Sequence, residues 1–345
     1  AGLPHPGRGA PRSQPAGGGP LTGRVLSVGD PAAIEEAARL LRDGGLVAFP
    51  TETVYGLGAD AFDSEAVARI FEVKARPSFD PLIVHLADAS DVDRVARAED
   101  PRVAVLAELF WPGPLTLVLP RRAEVPEIVT AGLDTVGVRV PGHPAARALI
   151  RAAGTPVAAP SANPFGYVSP TTATHVAERL GDSVDLVLDG GPCPVGVEST
   201  IVSLIGGSPA ILRPGGVSAE ELEDALGVRC ERATAPTERP LAPGQLTRHY
   251  ATRTPVRILP GTAGTPPDDG RTGLLAWSEA PSAAGYAAVE VLAPDGRPTT
   301  AAARLFAALR RLDDLGLDLI VAEACPEQGL GAAIMDRLHR CAARD

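Results

Sequence analysis

Three residue types are almost missing from the 345-residue chain: lysine, asparagine and methionine occur once each, as Lys74, Asn163 and Met335. Of the 32 basic side chains, arginine therefore supplies the other 31. The excess of Ala, Arg, Gly and Pro reflects a bias in composition rather than a demand of the fold. Against that bias the single Lys74 and the single Asn163 are informative, because something other than composition has retained them.

Other absences bear on the class of protein. The four cysteines stand far apart without a CxxC pair, so neither a zinc site nor a disulfide framework is indicated, and we expect reduced thiols in the cytoplasm. No apolar run approaches the roughly 18 residues of a membrane-spanning helix. Residues 1–22 lack the apolar core of a signal peptide, and their Pro and Gly content predicts a disordered tail.

The net charge is −10, which argues against a broad nucleic-acid surface. Such surfaces gather cations against phosphates. A small anionic ligand in a local basic pocket is still compatible with this charge.

Helix-like and strand-like patterns alternate along the chain, which predicts the α/β class. The first helix is predicted to have Asp30 as its N-cap and Pro31 in its first turn. A second helix is predicted to begin with a capping box at Ser64. The glycines at 56–58 are interpreted as a turn.

Periodicity stops in the proline-rich residues 229–252, which predicts a linker. Residues 23–228 before it form one predicted domain. Residues 253–345 after it show strands and helices of a second, smaller α/β domain.

Lys74 and Arg76 follow a helix-like run and are predicted to lie on a loop before Pro77. Two cations this close are usually solvated. Lysine carries a compact point charge, whereas arginine carries a planar guanidinium, so a site built for one is not served by the other. The retained Lys74 therefore favours a specific role in phosphate binding. The chain has no Gly-Lys-Ser/Thr P-loop, and the GxGxxA at residues 56–61 is separated from its strand, which disfavours a dinucleotide site.

Hydroxyl side chains follow two buried strands. Thr51, Thr53 and Tyr55 lie in "FPTETVYGLG", and Ser161 precedes Asn163 in "APSANPFG". Such groups either satisfy the local backbone as an ST-turn or bind a small polar substrate. The pattern leaves both interpretations open.

Arg139 in "VGVRVP" and Arg213 in "AILRPGG" interrupt apolar strands, where an unpaired guanidinium is costly. Each either meets an anion or pairs with Glu198. His85, inside another apolar strand, is more simply a core residue than a ligand. No nucleophile grouping and no carboxylate cluster for a structural metal is evident, so the pattern favours electrostatic stabilisation of phosphate chemistry.

Eight stretches together resemble the Sua5/YrdC family of threonylcarbamoyl-AMP synthases. In chain order they are "PTETVYGLG", "KARPSFDPLIVH", "FWPGPLTLVLP", "GLDTVGVRVPGHP", "APSANPFG", "DGGPCPVGVESTIV", "ILRPGG" and "HYA". They span roughly residues 24–252, and the C-terminal unit is similar to the extra domain of the longer Sua5 type. The resemblance implies a YrdC-like twisted mixed open sheet with helices, followed by a smaller Rossmann-like domain.

The resemblance also implies a reaction. L-threonine, bicarbonate and ATP, with Mg²⁺, would give threonylcarbamoyl-AMP and pyrophosphate. The product would pass to a separate transferase that makes N6-threonylcarbamoyladenosine at position 37 of tRNA. We expect a cytoplasmic nucleotidyltransferase with no membrane association and with weak or no direct binding of tRNA.

By the same resemblance, Lys74 and Arg76 are the catalytic cations, standing at the phosphates. Five positions are implied to hold L-threonine: Thr53, His85, Arg139, Ser161 and Ser199. Seven are implied to hold ATP: Arg76, Asp80, Thr135, Asn163, Ser169, Arg213 and Tyr250. The ligands of Mg²⁺ are not indicated.

The chain departs from the family's usual KGRPxDNP loop, with Ala75, Phe79 and Asp80 in "KARPSFDP". An aspartate beside triphosphate is unfavourable unless Mg²⁺ or Arg76 offsets its charge. Two other functions are considered: an RNA-binding module, which the acidic charge disfavours, and a carbamoyl-adenylate enzyme that uses carbamoyl phosphate. The second is normally fused to domains that this sequence does not show.

Overall fold

The computed structural model describes residues 24–232, 240–246, 249–266, 270–279 and 285–343. The predicted disordered tail, residues 1–22, lies outside them. None of the described helices combines the length and the apolar character that crossing a membrane requires.

An eleven-stranded mixed sheet organises the first part of the described chain, in the order β1-β8-β2-β3-β7-β4-β6-β5-β9-β10-β11. Its strands are β1 (Val25–Ser27), β2 (Val47–Phe49), β3 (Gly56–Asp60), β4 (Ile83–His85), β5 (Leu115–Pro120), β6 (Thr135–Arg139), β7 (Val157–Ala158), β8 (Leu186–Asp189), β9 (Thr200–Ser203), β10 (Ala210–Arg213) and β11 (Glu231–Arg232). The helices are α1 (Pro31–Arg42), α2 (Ser64–Lys74), α3 (Pro101–Phe110), α4 (Glu127–Thr130), α5 (Pro144–Ala153), α6 (Ala173–Leu180) and α7 (Ala219–Leu226), with 3₁₀ turns at Ala89–Arg94 and Gly181–Ser183. The predicted mixed α/β sheet is confirmed.

Helices cover both faces of this sheet, and strand β2 shows how. Val47 and Phe49 pack in one apolar cluster with residues of α1 and α5, whereas Ala48 belongs to a second cluster with residues of α2. Successive residues of a strand point to opposite faces, so both faces of β2 are buried. That burial explains why β2 is apolar throughout rather than alternating.

The predicted start of α1 is confirmed, whereas that of α2 is wrong. Asp30 caps α1 by accepting from the Ala32 amide at 2.9 Å. The N-cap of α2 is Asp63 rather than Ser64. The Asp63 carboxylate accepts from two amides of the first turn, at 2.9 and 3.1 Å, and a carboxylate also suits the positive end of the helix dipole.

The turn predicted at residues 56–58 is in fact the beginning of strand β3, which pairs antiparallel with β2. The glycines serve packing rather than turning. A Cβ at Gly58 would lie 2.8 Å from both Phe49 Cε1 and Val157 Cγ1, so only glycine fits between these side chains.

A second, four-stranded sheet is parallel throughout and has the order β12-β15-β13-β14. Its elements are β12 (Val256–Leu259), β13 (Thr272–Ala276), β14 (Ala288–Val291), α8 (Pro298–Asp313), β15 (Leu319–Glu323) and α9 (Leu330–Ala342). The predicted smaller Rossmann-like domain is confirmed.

The second domain packs directly on the first. Val168 and Val197 of the first domain share one apolar cluster with Phe306 of α8. Around it, Tyr167 donates to Asp313 at 2.8 Å. The two domains therefore have a common core in addition to their own.

Gly215 offers a test of the tight contact behind β9. A Cβ there would lie 2.3 Å from the Glu198 carbonyl oxygen and 2.4 Å from the Thr200 nitrogen, and these backbone atoms cannot yield as a flexible side chain would. We expect Gly215→Ala to lower the free energy of unfolding by about 2 kcal/mol, measured by urea denaturation. Gly207→Ala is the control, since nothing lies within 4 Å of its added Cβ. Equal losses in the two variants would refute this packing.

Candidate active site

A cleft opens beside strands β4 and β6. Segments that are far apart in the sequence, from Thr51 to Tyr250, line it. The lining residues are Thr51, Thr53, Val54, Gly56, Arg76, Ile83, His85, Arg139, Ala159, Pro160, Ser161, Glu198, Ser199, Arg213, Pro243, Gly244, His249 and Tyr250. All five residues that the resemblance assigns to L-threonine, and three of the seven that it assigns to ATP, are among them.

Arg139 ends β6 and is buried, with a carboxylate partner that the sequence did not suggest. Its Nη2 donates to Glu52 Oε1 at 2.6 Å, and its Nε donates to the Gly113 carbonyl at 3.2 Å. The Gly142 amide holds the other Glu52 oxygen at 2.8 Å. The suggested pairing of Arg139 with Glu198 is therefore wrong. Glu52 was missed because it stands among hydroxyl residues in "PTETVY", and only the fold brings it to Arg139.

His85 stands beside Arg139 in the parallel pair β4–β6. Its Nδ1 is buried and has no hydrogen-bond partner among the described residues, and its ring meets Phe49 edge to face at 6.0 Å. Burial, and then the charge of Arg139, lower the pKa of His85 to about 3. The imidazole is neutral at physiological pH, and its unused nitrogen is uncommon for a core histidine.

The two threonines after β2 satisfy part of the ST-turn interpretation. The Thr51 hydroxyl donates to the Val54 carbonyl at 2.6 Å and lies 2.8 Å from the Thr53 hydroxyl. Thr51 is thus a local backbone anchor. Thr53 lines the cleft with its hydroxyl fixed by Thr51, which is how a preorganised substrate contact would be built.

Lys74 belongs to the last turn of α2 and is buried at 1% exposure, so its predicted loop position is wrong. Its Nζ donates to the Ser161 carbonyl at 2.5 Å and also to the Asn163 carbonyl. Burial, and then the charge of Arg76, lower the pKa of Lys74 well below its ordinary value. In this structure Lys74 anchors the loop that carries Ser161 into the cleft, and it is not itself part of the lining.

Arg76 does line the cleft, held by the loop that follows it. Its Nε donates to the Asp80 carbonyl at 3.0 Å, and its Nη2 donates to the Pro81 carbonyl at 2.8 Å. The Asp80 carboxylate is 3.0 Å from Nη2, yet neither oxygen has a properly directed hydrogen bond among the described residues. Burial raises the pKa of Asp80 against the opposing effects of Arg76 and Lys74. Asp80 is therefore a buried carboxylate with capacity for another ligand.

Arg213 ends β10 and contacts neutral oxygens. It donates to the Ser199 carbonyl at 2.9 and 3.2 Å, to the Ser199 hydroxyl at 3.1 Å and to the Pro243 carbonyl at 3.2 Å. Among the described residues no carboxylate pairs with it. The suggested pairing with Glu198 is thus wrong here as well, and Arg213 lines the cleft without a direct ion pair among the described residues.

Three more residues assigned to ATP lie outside the cleft lining, as Asp80 does. Asn163 donates to two carbonyls within its own loop at 2.8 Å. Ser169 donates to Glu198 Oε1 at 2.5 Å. Thr135 begins β6, at the opposite end of the strand from Arg139. Their roles toward ATP stay predictions.

The linker closes the cleft with His249 and Tyr250. Their rings are 4.1 Å apart, and Phe165 meets His249 edge to face at 5.9 Å. Burial, followed by the charges of Arg76 and Lys74, lowers the pKa of His249 well below its ordinary value. The Tyr250 hydroxyl has no partner among the described residues. His249 was missed, although its place beside Tyr250 in "HYA" was the available signal.

Taken together, the mixed α/β sheet and a cleft lined by arginines, hydroxyls and a neutral histidine are typical of an enzyme with a small, anionic substrate. The family model described as "Telomere recombination" (Sua5, YciO, YrdC) matches residues 39–215. The model described as "Threonylcarbamoyl-AMP synthase, C-terminal domain" matches residues 217–343. The chain therefore belongs to the Sua5/YrdC family of threonylcarbamoyl-AMP synthases, and to its two-domain Sua5 type.

Individual relatives agree. The threonylcarbamoyl-AMP synthase of Bacillus subtilis is 43% identical over 331 residues, which cover 92% of this chain and 94% of that one. The synthase of Pyrococcus abyssi is 43% identical over 316 residues, covering 89% and 93%. A crystal structure of P. abyssi Sua5 complexed with L-threonine superposes with a TM-score of 0.83 at 40% identity, covering 90% of this chain and 94% of that one.

The lowered pKa of His85 predicts a pH-dependent stability. The unfolded state has an ordinary histidine near 6.5 and the folded state one near 3, so below pH 6.5 the unfolded state binds more protons. The contribution of His85 to stability is then lost as pH falls, by about 1 to 2 kcal/mol between pH 6.5 and pH 5. Urea unfolding at both pH values should show a smaller loss in His85→Gln than in the unsubstituted protein. The exposed His339→Gln should keep the full loss, and an unchanged slope in His85→Gln would exclude the assignment.

Proposed function

We propose that this chain is an L-threonylcarbamoyladenylate synthase, a nucleotidyltransferase that joins L-threonine, bicarbonate and ATP and releases pyrophosphate. The observation that carries the proposal is one cleft that holds Arg139, neutral His85 and fixed hydroxyls together with two more arginines, Arg76 and Arg213. The first group suits an amino acid, and the second suits phosphates. The P. abyssi Sua5 structure, which is complexed with L-threonine, supports an amino acid as one substrate.

Arg139 would bind the carboxylate of threonine. Glu52 and a carbonyl occupy its Nη2 and Nε, whereas its Nη1 has no acceptor among the described residues. Glu52 thereby fixes the guanidinium plane without using all of its donors. Neutral His85 adds no charge that would repel the substrate's ammonium group, and the hydroxyls of Thr53 and Ser161 can bind the polar side chain.

Arg76, Arg213 and Lys74 would meet the triphosphate, which enters as its Mg²⁺ complex. Asp80 fits a role toward that cation, because its buried oxygens lack directed donors. Mg²⁺ commonly takes one or two carboxylates together with substrate phosphates. The bound ion would supply charge neutralisation at the phosphates. To contact a phosphate oxygen, Lys74 Nζ would have to give up its hydrogen bond to one of the two loop carbonyls. If it keeps both hydrogen bonds, its role is to hold the loop that carries Ser161.

The chemistry requires alignment rather than a protein nucleophile. The amine of threonine adds to bicarbonate with loss of water, giving a carbamate. A carbamate oxygen then forms a bond to the α-phosphorus in line with the bond that breaks, and pyrophosphate leaves with that bonding pair. Buried cations stabilise the developing charge, and the linker residues His249 and Tyr250 exclude water from a hydrolysable product.

The product would pass to a separate tRNA threonylcarbamoyl transferase for modification of position 37. The net charge of −10 supports weak or no direct tRNA binding by this chain. We place the reaction in the cytoplasm, where tRNA is modified.

The direct test supplies the purified protein with Mg²⁺, ATP, bicarbonate and L-threonine, and measures pyrophosphate together with the mass of the adenylate. We expect release that depends on threonine and falls when serine replaces it. Release only with carbamoyl phosphate would instead assign the carbamoyl-adenylate function. No release, combined with tRNA retention in a filter-binding assay, would assign an RNA-binding module.

A variant tests the threonine site. Arg139→Gln removes a charge-assisted contact to the carboxylate, so we expect the KM for threonine to rise about tenfold or more while the KM for ATP changes little. Arg147→Gln is the matched control, because Arg147 also pairs with a carboxylate, Asp88 at 2.8 Å, away from the cleft. A normal threonine KM in Arg139→Gln would remove Arg139 from the site.

A further inference from the structure

A buried ion pair joins the cleft wall to the second domain. Glu198 lines the cleft just before β9, and its Oε2 accepts from Arg337 Nε of α9 at 2.9 Å. Its other oxygen accepts from Ser169 at 2.5 Å. Arg337 is 0% exposed although it is an arginine on a helix. Burial at this cost marks a defined role, because an exposed position would have avoided the desolvation of both groups.

Arg337 is itself held in place from several sides. Its Nη1 donates to the Pro214 carbonyl at 2.7 Å and to Asp336 Oδ2 at 2.9 Å. Its guanidinium carbon lies 5.2 Å from the ring centroid of Tyr250 in the linker. One residue of the second domain thus contacts the cleft wall and the segment that closes the cleft.

A second arginine, Arg213, also acts electrostatically on Glu198. Arg213 lines the same cleft and donates to the carbonyl and hydroxyl of Ser199, the residue after Glu198. Its charge acts to lower the pKa of Glu198, second only to Arg337 among the nearby charges. Nevertheless Arg213 donates only to neutral oxygens of Ser199 and Pro243 among the described residues. A buried carboxylate without a partner would be drawn to the nearest guanidinium that still lacks one.

We propose that Arg337 is a positioning residue of the second domain: it holds Glu198 in an ion pair, which keeps Arg213 free for the phosphates of the nucleotide. This inference rests on the proposed function, because it takes Arg213 as a nucleotide contact. It assigns the second domain a part in building the ATP site. Without Arg337, Glu198 would pair with Arg213 and place a carboxylate where the triphosphate binds.

The test measures the Kd of Mg·ATP by isothermal titration calorimetry, without threonine, for the full chain. We expect Arg337→Gln to raise this Kd about tenfold or more, because Glu198 would lose its partner and pair with Arg213 instead. The Kd for L-threonine should change less than threefold, roughly the size of a minor packing effect. The decisive variant is Glu198→Gln with Arg337→Gln. With no carboxylate to capture Arg213, it should return the Kd of Mg·ATP to within about threefold of the original value.

Controls separate positioning from loss of structure. Arg179→Gln breaks another ion pair between the domains, with Asp314 at 2.7 Å, and should leave the Kd of Mg·ATP unchanged. A Kd that stays normal in Arg337→Gln overturns the inference. So does a raised Kd that the Glu198→Gln change fails to restore, because Arg337 would then act through Tyr250 or through domain packing. Turnover by the unsubstituted protein is measured in parallel, so failure of the proposed function is seen separately from failure of this coupling.

Discussion

Every cation buried around the cleft must meet an acceptor, and that requirement organises much of the structure. Lys74 is fixed by two loop carbonyls, Arg76 by the carbonyls of its own loop, and Arg139 by Glu52. Arg213 takes neutral oxygens and Arg337 takes Glu198. A buried charge costs several kcal/mol without such partners, so these contacts fix the positions of the loops that carry them.

The partners of Arg139 and Arg213 differ in charge. Arg139 pairs with the carboxylate of Glu52, which fixes the orientation of the guanidinium and partly neutralises its positive charge. Arg213 donates only to neutral oxygens among the described residues, so it has no carboxylate in direct contact. An amino acid carries one carboxylate and one ammonium group, whereas a triphosphate carries several negative charges. Of the two, Arg213 is accordingly the arginine that better suits the more highly charged substrate.

Much of this could be predicted from the sequence. Apolar runs and caps located most helices and strands, because these depend on neighbours in the chain. Arg139, Arg213 and His85 stood out because charged or polar residues in apolar strands need an explanation. The ordered motifs indicated five residues for binding the substrate L-threonine, and the structure places all five in the lining of one cleft.

What could not be predicted depends on contacts between distant segments. Glu52 meets Arg139 across 87 residues, and Glu198 meets Arg337 across 139. No local pattern marks such a pair. The beginning of the strand Gly56–Asp60 was interpreted as a turn because glycine is typical of turns. Here Gly58 is required instead because the Phe49 ring on the adjacent strand leaves no room for a Cβ. Lys74 was assigned to a loop for a similar reason: its acceptors lie 87 and 89 residues away.

The apolar cluster shared by the two domains has an evolutionary consequence. Val54, Val168 and Val197 belong to the first domain but are buried with Phe306 of the second. A chain that consisted of the first domain alone would expose these valines to water as an apolar patch next to its own cleft. Loss or gain of the second domain therefore cannot be a simple cut at the linker. It has to be accompanied by polar replacements on this face, so the two-domain and one-domain forms are separated by a set of coupled substitutions.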